Sequence, residues 1–256
     1  MTFVVSSVFS VMKPERIRNR RRAARFLGLL LLSVLTGLGL IPAGNTANAA
    51  SIPERELFEQ FMRNAAKNRP QSFSCRITGD AITSSLGRIP ADARTGQPEV
   101  VTYYERGLGQ VIRVLHVDDL FRNMFISYQP YLAMTGAWIE ARGSDWPSFS
   151  REHEMTILRE DGQGWDARIS RRGEDGGSYA VFRFARANYS VRAVQFYNAG
   201  QLVYSVANEY ALVGAFSLPG TMAITAYRDG QPQSVSRLTF SEYRVNTALP
   251  AGVFQR

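Results

Sequence analysis

The last third of the chain, Tyr189 to Phe254, constrains the fold most. It reads as two β-hairpins in succession followed by a short tag. Ser190–Tyr197 and Gln201–Ala211 flank a turn at Asn198-Ala199-Gly200. Thr221–Tyr227 and Gln233–Tyr243 flank a second turn at Arg228-Asp229-Gly230-Gln231. Asn, Asp and Gly accept the positive φ angles that tight hairpin turns need. Strands joined this closely pair as antiparallel neighbours, and a meander of them must bury one face against something else. The tag, Arg244-Val245-Asn246, then Leu249-Pro250 and Val253-Phe254, is too irregular for a strand.

The partner elements lie upstream. Pro53–Lys67 has the clearest helical period, with Leu57, Phe58, Phe61, Met62 and Ala65 on one face, and Asn68-Arg69-Pro70 ends it. A strand follows at Ser72–Ile77, and residues 81–98 read as loop because of Gly87, Pro90, Gly96 and Pro98. Glu99–Arg106 and Gln110–Val117 form a hairpin pattern through Gly107-Leu108-Gly109, with apolar residues on both faces. Asp118–Tyr128 then switches to a helical period in Leu120, Phe121, Met124, Phe125 and Tyr128, which Pro130 stops; Leu132 and Trp138 continue the apolar content. This stretch reads either as a second core helix or as a movable lid, since Met and aromatic side chains adapt to irregular ligands. Arg151–Glu160 and Trp165–Arg172 form a further hairpin about Asp161-Gly162-Gln163-Gly164, and Ser178–Ala185 is one more strand. The fold class expected is mainly β, of the α+β kind: an antiparallel sheet curving around a hydrophobic cavity, with an N-terminal helix and an internal helical lid.

The first 49 residues read as an export signal. Lys13, Arg16, Arg18, Arg20, Arg21, Arg22 and Arg25 make a basic region, Phe26–Ile41 is nearly all apolar, and Ala47-Asn48-Ala49 is a small-residue cleavage site. The apolar run is shorter than the ~20 residues of a spanning helix. Cleavage is expected after Ala49, with Met12 a candidate start, leaving residues 50–256 as one domain, soluble in the periplasm. The leader holds seven of the 30 Lys and Arg residues and one of the 22 Asp and Glu residues, so the remainder sits near +2. That balance argues against a nucleic-acid partner. One cysteine, Cys75, excludes an internal disulfide and is expected as a small buried residue.

Catalytic and metal-binding patterns are missing. His153, in Glu152-His153-Glu154-Met155, lacks the second His of a zinc-protease helix and is expected on a solvated edge. Asp118-Asp119 reads as a helix cap, and Arg183, Arg186 and Arg192 as solvated cations. No nucleophile elbow or phosphate loop appears. The chain does not read as an enzyme, and no cofactor or metal is expected.

Two patches resemble the LolA-like family of periplasmic carriers, the outer-membrane lipoprotein-sorting proteins. One is the export signal and amphipathic helix running into Ser72-Phe73-Ser74-Cys75-Arg76-Ile77. The other is Leu218-Pro219-Gly220, then Leu238-Thr239-Phe240-Ser241-Glu242-Tyr243-Arg244-Val245-Asn246, then Leu249-Pro250 and Val253-Phe254. The resemblance implies an incomplete antiparallel β-barrel around a hydrophobic cavity lidded by helices, acting as a monomer that shields the acyl chains of lipoproteins or lipids. It implies as partners an inner-membrane lipoprotein-releasing transporter and an outer-membrane acceptor. The ligand-binding residues expected are Phe121, Met124, Phe125, Tyr128, Leu132 and Trp138. Arg76 is the nearest candidate by position for the arginine that governs the lid. The competing expectation is a non-enzymatic signalling or interaction protein that uses the same scaffold to bind another envelope protein.

Overall fold

The computed structural model describes residues 52–128, 145–173 and 177–255. The export signal, Leu132 and Trp138 lie outside the described residues. The strands are β1 (Ser72–Thr78), β2 (Arg94–Glu105), β3 (Gly109–Val117), β4 (His153–Asp161), β5 (Gly164–Arg171), β6 (Ser178–Ala185), β7 (Val191–Asn198), β8 (Gln201–Val213), β9 (Phe216–Arg228) and β10 (Gln231–Val245). They form one ten-stranded sheet in the order β3-β2-β1-β10-β9-β8-β7-β6-β5-β4, with every neighbouring pair antiparallel. The sheet is open: β3 and β4 are its two edges. The helices are α1 (Glu54–Lys67), α2 (Asp80–Gly87) and α3 (Trp146–Glu152).

β4 to β10 is a meander in which each strand pairs with the next. The two expected hairpins are part of it, and a third joins them. β8 and β9 run on to meet at a two-residue turn, Gly214-Ala215, whose first residue has φ +59. Gly in that place suits a type II′ hairpin. Leu218-Pro219-Gly220 therefore lies inside β9. The register slips between Glu209 and Tyr210 of β8, so Pro219 stands beside a bulge, a position where a sheet admits proline.

β1 inserts the N-terminal hairpin into the meander. It pairs with β10 (Ile77↔Phe240) on one side and β2 (Ile77↔Val100) on the other. Asn246, just past β10, locks this junction: its Oδ1 accepts from the backbone N–H of Gln71 at 2.8 Å, and its own N–H donates to the Ser72 carbonyl at 2.8 Å.

Arg244 and Val245, expected in an irregular tag, extend β10 and pair with Ser74 and Phe73 of β1. Three further expectations change. Residues 81–98 are not loop: α2, a short 3₁₀ turn (Ala91–Ala93) and the start of β2 occupy them. The helix can lie close to β10 because Gly79 precedes it; a Cβ there would overlap the Arg237 carbonyl. Residues 146–152 form α3 before the strand begins, capped by Asp145, whose Oδ1 accepts from the Ser148 N–H at 2.8 Å.

The third change concerns Asp118–Tyr128, which is a chain of turns ending in a 3₁₀ helix at Ile126–Tyr128. In an α-helix the Arg122 carbonyl would accept from Ile126. Here it accepts from Val114 N–H on the free edge of β3 at 2.9 Å, and Ile126 N–H turns to Asn123 O at 3.0 Å. The Arg113 guanidinium adds a bond to Asn123 Oδ1 at 2.8 Å and another to Gln255 O at 2.9 Å. Pairing with the sheet edge has displaced the helical period, and it also covers an edge that would otherwise present unpaired backbone groups.

At the opposite end of the sheet Asp161 organises the β4–β5 turn. Its carboxylate accepts from the N–H groups of Gln163 (2.8 Å) and Gly164 (3.0 Å), and pairs with Arg183 (2.5 Å) and Arg159 (3.1 Å). Arg186 reaches Glu160 at 2.6 Å and lies over the Trp165 ring. Arg183 and Arg186 are thus tied into the hairpin, contrary to their expected role as solvated cations.

Arg113→Ala removes the bonds to both the 118–128 segment and the chain end. It is expected to cost about 2 kcal/mol by urea unfolding, with hydrogen-exchange protection lost first at residues 118–126. The Arg183 hydrogen bond holds the Asp161 carboxyl below its ordinary pKa. Its stabilisation is therefore complete above about pH 3.9, the unfolded value, and is lost as pH falls through the lower folded value. Asp161→Asn should be less stable than wild type at neutral pH, and the two denaturation curves should converge in that acid window.

Candidate functional site

The inner face of the sheet carries the large apolar side chains. Phe73, Cys75 and Ile77 of β1 align with Tyr104, Thr102 and Val100 of β2, all of them buried. Met222, Leu238, Val206, Val194 and Phe196 continue the same face across the meander. A sheet curved in this way leaves its apolar face uncovered unless other elements cross it.

α2 and three further pieces do so. α1 lies with Leu57 fully buried and Phe61 edge-on to Phe184 of β6, ring centroids 5.3 Å apart. α3 meets α1 through Phe58, which stacks on Phe149 at 4.5 Å and touches Trp146 at 5.6 Å. Phe149 also stacks on His153 at 5.2 Å. His153 is buried at the start of β4, not on a solvated edge, because α3 and α1 close over that end of the strand. The third piece is the 118–128 segment. Phe125 is 3% exposed and belongs to the core cluster; Phe121, Met124 and Tyr128 are half-buried against it. Tyr128 meets Phe125 edge-on at 5.9 Å.

Four of the expected cavity residues, Phe121, Met124, Phe125 and Tyr128, are therefore brought together on the apolar cluster. Arg76 is elsewhere. Among the described residues its ion-pair partners are Glu99 of β2 at 3.6 Å and Glu242 of β10 at 3.1 Å, one on each neighbouring strand. Sequence reading missed α3 and its aromatic pair Trp146 and Phe149. The signal present was Asp145 as a cap with Pro147 in the first helical turn.

Beneath these pieces is a small polar cluster. The Tyr243 hydroxyl donates to the Pro219 carbonyl at 2.6 Å and shares a hydrogen bond with the Cys75 thiol. Burial pushes the Cys75 thiol up to about 12 and outweighs that bond. The same burial raises Tyr243. Among the described residues no three His, Cys, Asp or Glu side chains converge as metal ligands would, and no helix is long and apolar enough to cross a membrane.

No family model matches the chain, and no curated protein does. Its architecture is similar to that of three solved structures. A DUF1329 family protein from Desulfovibrio piger is 12% identical, with 80% of this chain and 98% of that one covered and a TM-score of 0.49. A domain assigned as an outer membrane lipoprotein-sorting protein, from Vibrio parahaemolyticus, is 12% identical, with 77% and 95% covered and a TM-score of 0.40. A LolA superfamily protein from Nitrosomonas europaea is 13% identical, with 77% and 97% covered and a TM-score of 0.42. The likeness is one of overall shape.

A thiol with so high a pKa and 1% exposure is neither ionised nor reachable. Native protein at pH 8 should leave Cys75 unlabelled by a disulfide-exchange reagent for hours, with full labelling after denaturation. Prompt labelling of the native chain would show that the β1–β10 junction opens.

Proposed function

We propose that this chain is a non-enzymatic carrier, which holds the acyl chains of lipoproteins or lipids against the inner face of its sheet. One observation carries the reading: the apolar face of an open sheet is covered by α2 and three further separate pieces instead of a second sheet. Each piece is anchored differently, and the 118–128 segment is held mainly by its edge pairing to β3 and by Arg113. Its half-buried side chains can part from the cluster without dismantling the ladder of the sheet. The free energy at stake is set by the cargo, since shielding each CH₂ from water is worth about 0.8 kcal/mol.

In this reading residues 50–256 are one domain, exported and released into the periplasm by cleavage after Ala49. An acyl chain enters between the 118–128 segment and the sheet and lies on Phe121, Met124, Phe125 and Tyr128. Leu132 and Trp138 extend the same wall, and Arg76 stabilises the sheet beside it. The carrier works as a monomer, receives cargo from an inner-membrane lipoprotein-releasing transporter and delivers it to an outer-membrane acceptor.

A second reading, an envelope interaction protein on the same scaffold, draws on the opposite face of the sheet. There Tyr179 and Tyr197 stack at 4.6 Å with Arg168 over Tyr179 at 4.2 Å. Tyr and Arg dominate the energetics of protein interfaces.

Native mass spectrometry of protein purified gently from an envelope fraction separates the two. Co-purified mass that resolves into acyl-bearing species is expected, and Met124→Glu or Phe125→Asp should remove it. Met124→Glu is the safer variant because its site is only half-buried, and its circular dichroism should match wild type. Clean apo protein, unmoved by added lipopeptide, would overturn the carrier and leave the interaction reading.

A further inference from the structure

A second concavity lies apart from the 118–128 segment. It is a pocket of about 460 Å³ between α2, the end of β1 and the leading end of β2. That volume falls in the range of small-molecule sites. Its cause is a break in the β2–β3 ladder. Arg94 pairs with Val117 and Glu99 pairs with Leu115, so residues 95–98 of β2 stand opposite His116 alone. The four-residue bulge contains Gly96 and Pro98, and His116 takes φ +58 to face it. The fit at Gly96 is close: a Cβ would come within 3.2 Å of the His116 Cβ and would require that side chain to shift by a few tenths of an ångström. Bulges of this kind re-aim side chains and cluster beside functional sites.

The walls of the pocket differ in character. Ile77, Ile82 and Val100 are buried core residues beneath it, and half-buried Leu86 of α2 is the apolar side chain that opens onto it. Arg76, Arg94 and Glu99 are the charged side chains on its lining. Glu99 is already shared: it sits 3.6 Å from Arg76 and 3.6 Å from His116, and Arg76 is further neutralised by Glu242. Arg94 is different. Its Nε donates to Ile89 O at 2.9 Å, and its Nη2 donates to Ile89 O at 2.5 Å and Gly87 O at 3.1 Å. These neutral carbonyls fix the guanidinium without cancelling its charge. Among the described residues no carboxylate lies within ion-pair distance of it. Its Nε and Nη2 are taken by those carbonyls, so Nη1 is the nitrogen left to meet a carboxylate or phosphate oxygen.

We propose that this pocket binds an amphipathic anion, an acidic head group on a short apolar body, with Arg94 holding the head and Leu86 meeting the body. The site is independent of the carrier reading and shares no residue with the 118–128 segment. Its natural source is either a free medium-chain acid or the acidic head of a lipid; both present the same chemistry to Arg94.

The test is isothermal titration of the mature protein with decanoate, with decanol as the neutral control and lysophosphatidic acid as the lipid-borne anion. Decanoate should bind one to one, at least tenfold more tightly than decanol. Arg94→Gln should abolish that preference. Because Arg94 also clamps the α2–β2 connection, Leu86→Glu serves as a second variant: it leaves the clamp intact, repels the anion and should lose decanoate binding with an unchanged circular dichroism spectrum. The titrations are run in the Met124→Glu background, which closes the carrier cavity to acyl chains, so that decanoate binding reports this pocket alone. Tighter Arg94-dependent binding of lysophosphatidic acid than of decanoate identifies a lipid source, and the reverse identifies a free acid. Equal affinity for decanoate and decanol would overturn the proposal, as would a decanoate preference that survives Arg94→Gln.

Discussion

Without the pairing of β1 to β10 the sheet would fall into two pieces, one of three strands and one of seven. That pairing joins residues more than 160 positions apart, such as Ile77 and Phe240. The entropy of closing so long a loop rises only logarithmically with its length, but it must be met before any contact across the junction forms. The contacts that meet it are concentrated there. Phe73 stacks on Tyr104 at 5.3 Å and lies 5.8 Å from Tyr243, and Asn246 fixes the register by bonding the backbone just ahead of β1. Cys75 and Tyr243 fill the space beneath, and their thiol and hydroxyl satisfy one another and the Pro219 carbonyl where charge could not be sustained.

The rest of the architecture follows from the two edges that remain. A sheet of ten twisted strands has to curl, close or be covered. This one is left unclosed, and the connection from β3 to β4 begins by folding back on the β3 edge. The apolar face then needs cover, which comes from α1, α2, α3 and the 118–128 turns. Cover supplied in pieces can be loosened in pieces, whereas a second sheet would come away only with its whole ladder of hydrogen bonds. In the carrier reading, stability and access fall to different parts of the chain: the junction strands carry the first, the covering segments the second.

Much of this was legible from residue pattern because hairpins are local. Asn198-Ala199-Gly200 and Asp229-Gly230 specify turns within a few residues, and the alternation on either side specifies which face is buried. α1 was legible for the same reason, as its stripe of Leu57, Phe58, Phe61 and Ala65 is a property of one helix. Elements were misread where a distant partner decided the outcome. Asp118–Tyr128 has the apolar spacing of a helix, but the Arg122 carbonyl found Val114 and the helix did not form. His153 looked like a polar residue on an edge, and Phe149 covers it. Arg76 was placed near a lid by sequence position, and its neighbours across the sheet are Glu99 and Glu242.

The pocket beside Arg94 shows the same division more sharply. Gly96 and Pro98 mark irregular backbone in the sequence, yet nothing local tells that His116 will stand opposite them or that Gly87 and Ile89 will present their carbonyls to one guanidinium. The sequence by itself determined the antiparallel meander, the amphipathic N-terminal helix, the apolar segment before Pro130 and the burial of the single cysteine. Each depends on period, turn chemistry or composition within one stretch of chain. Tertiary structure alone decided the union of β1 with β10, the capture of residues 118–128 by the β3 edge and the bulge that opens the pocket. Those depend on which backbone groups find each other after the chain has closed on itself, and no local period encodes that choice.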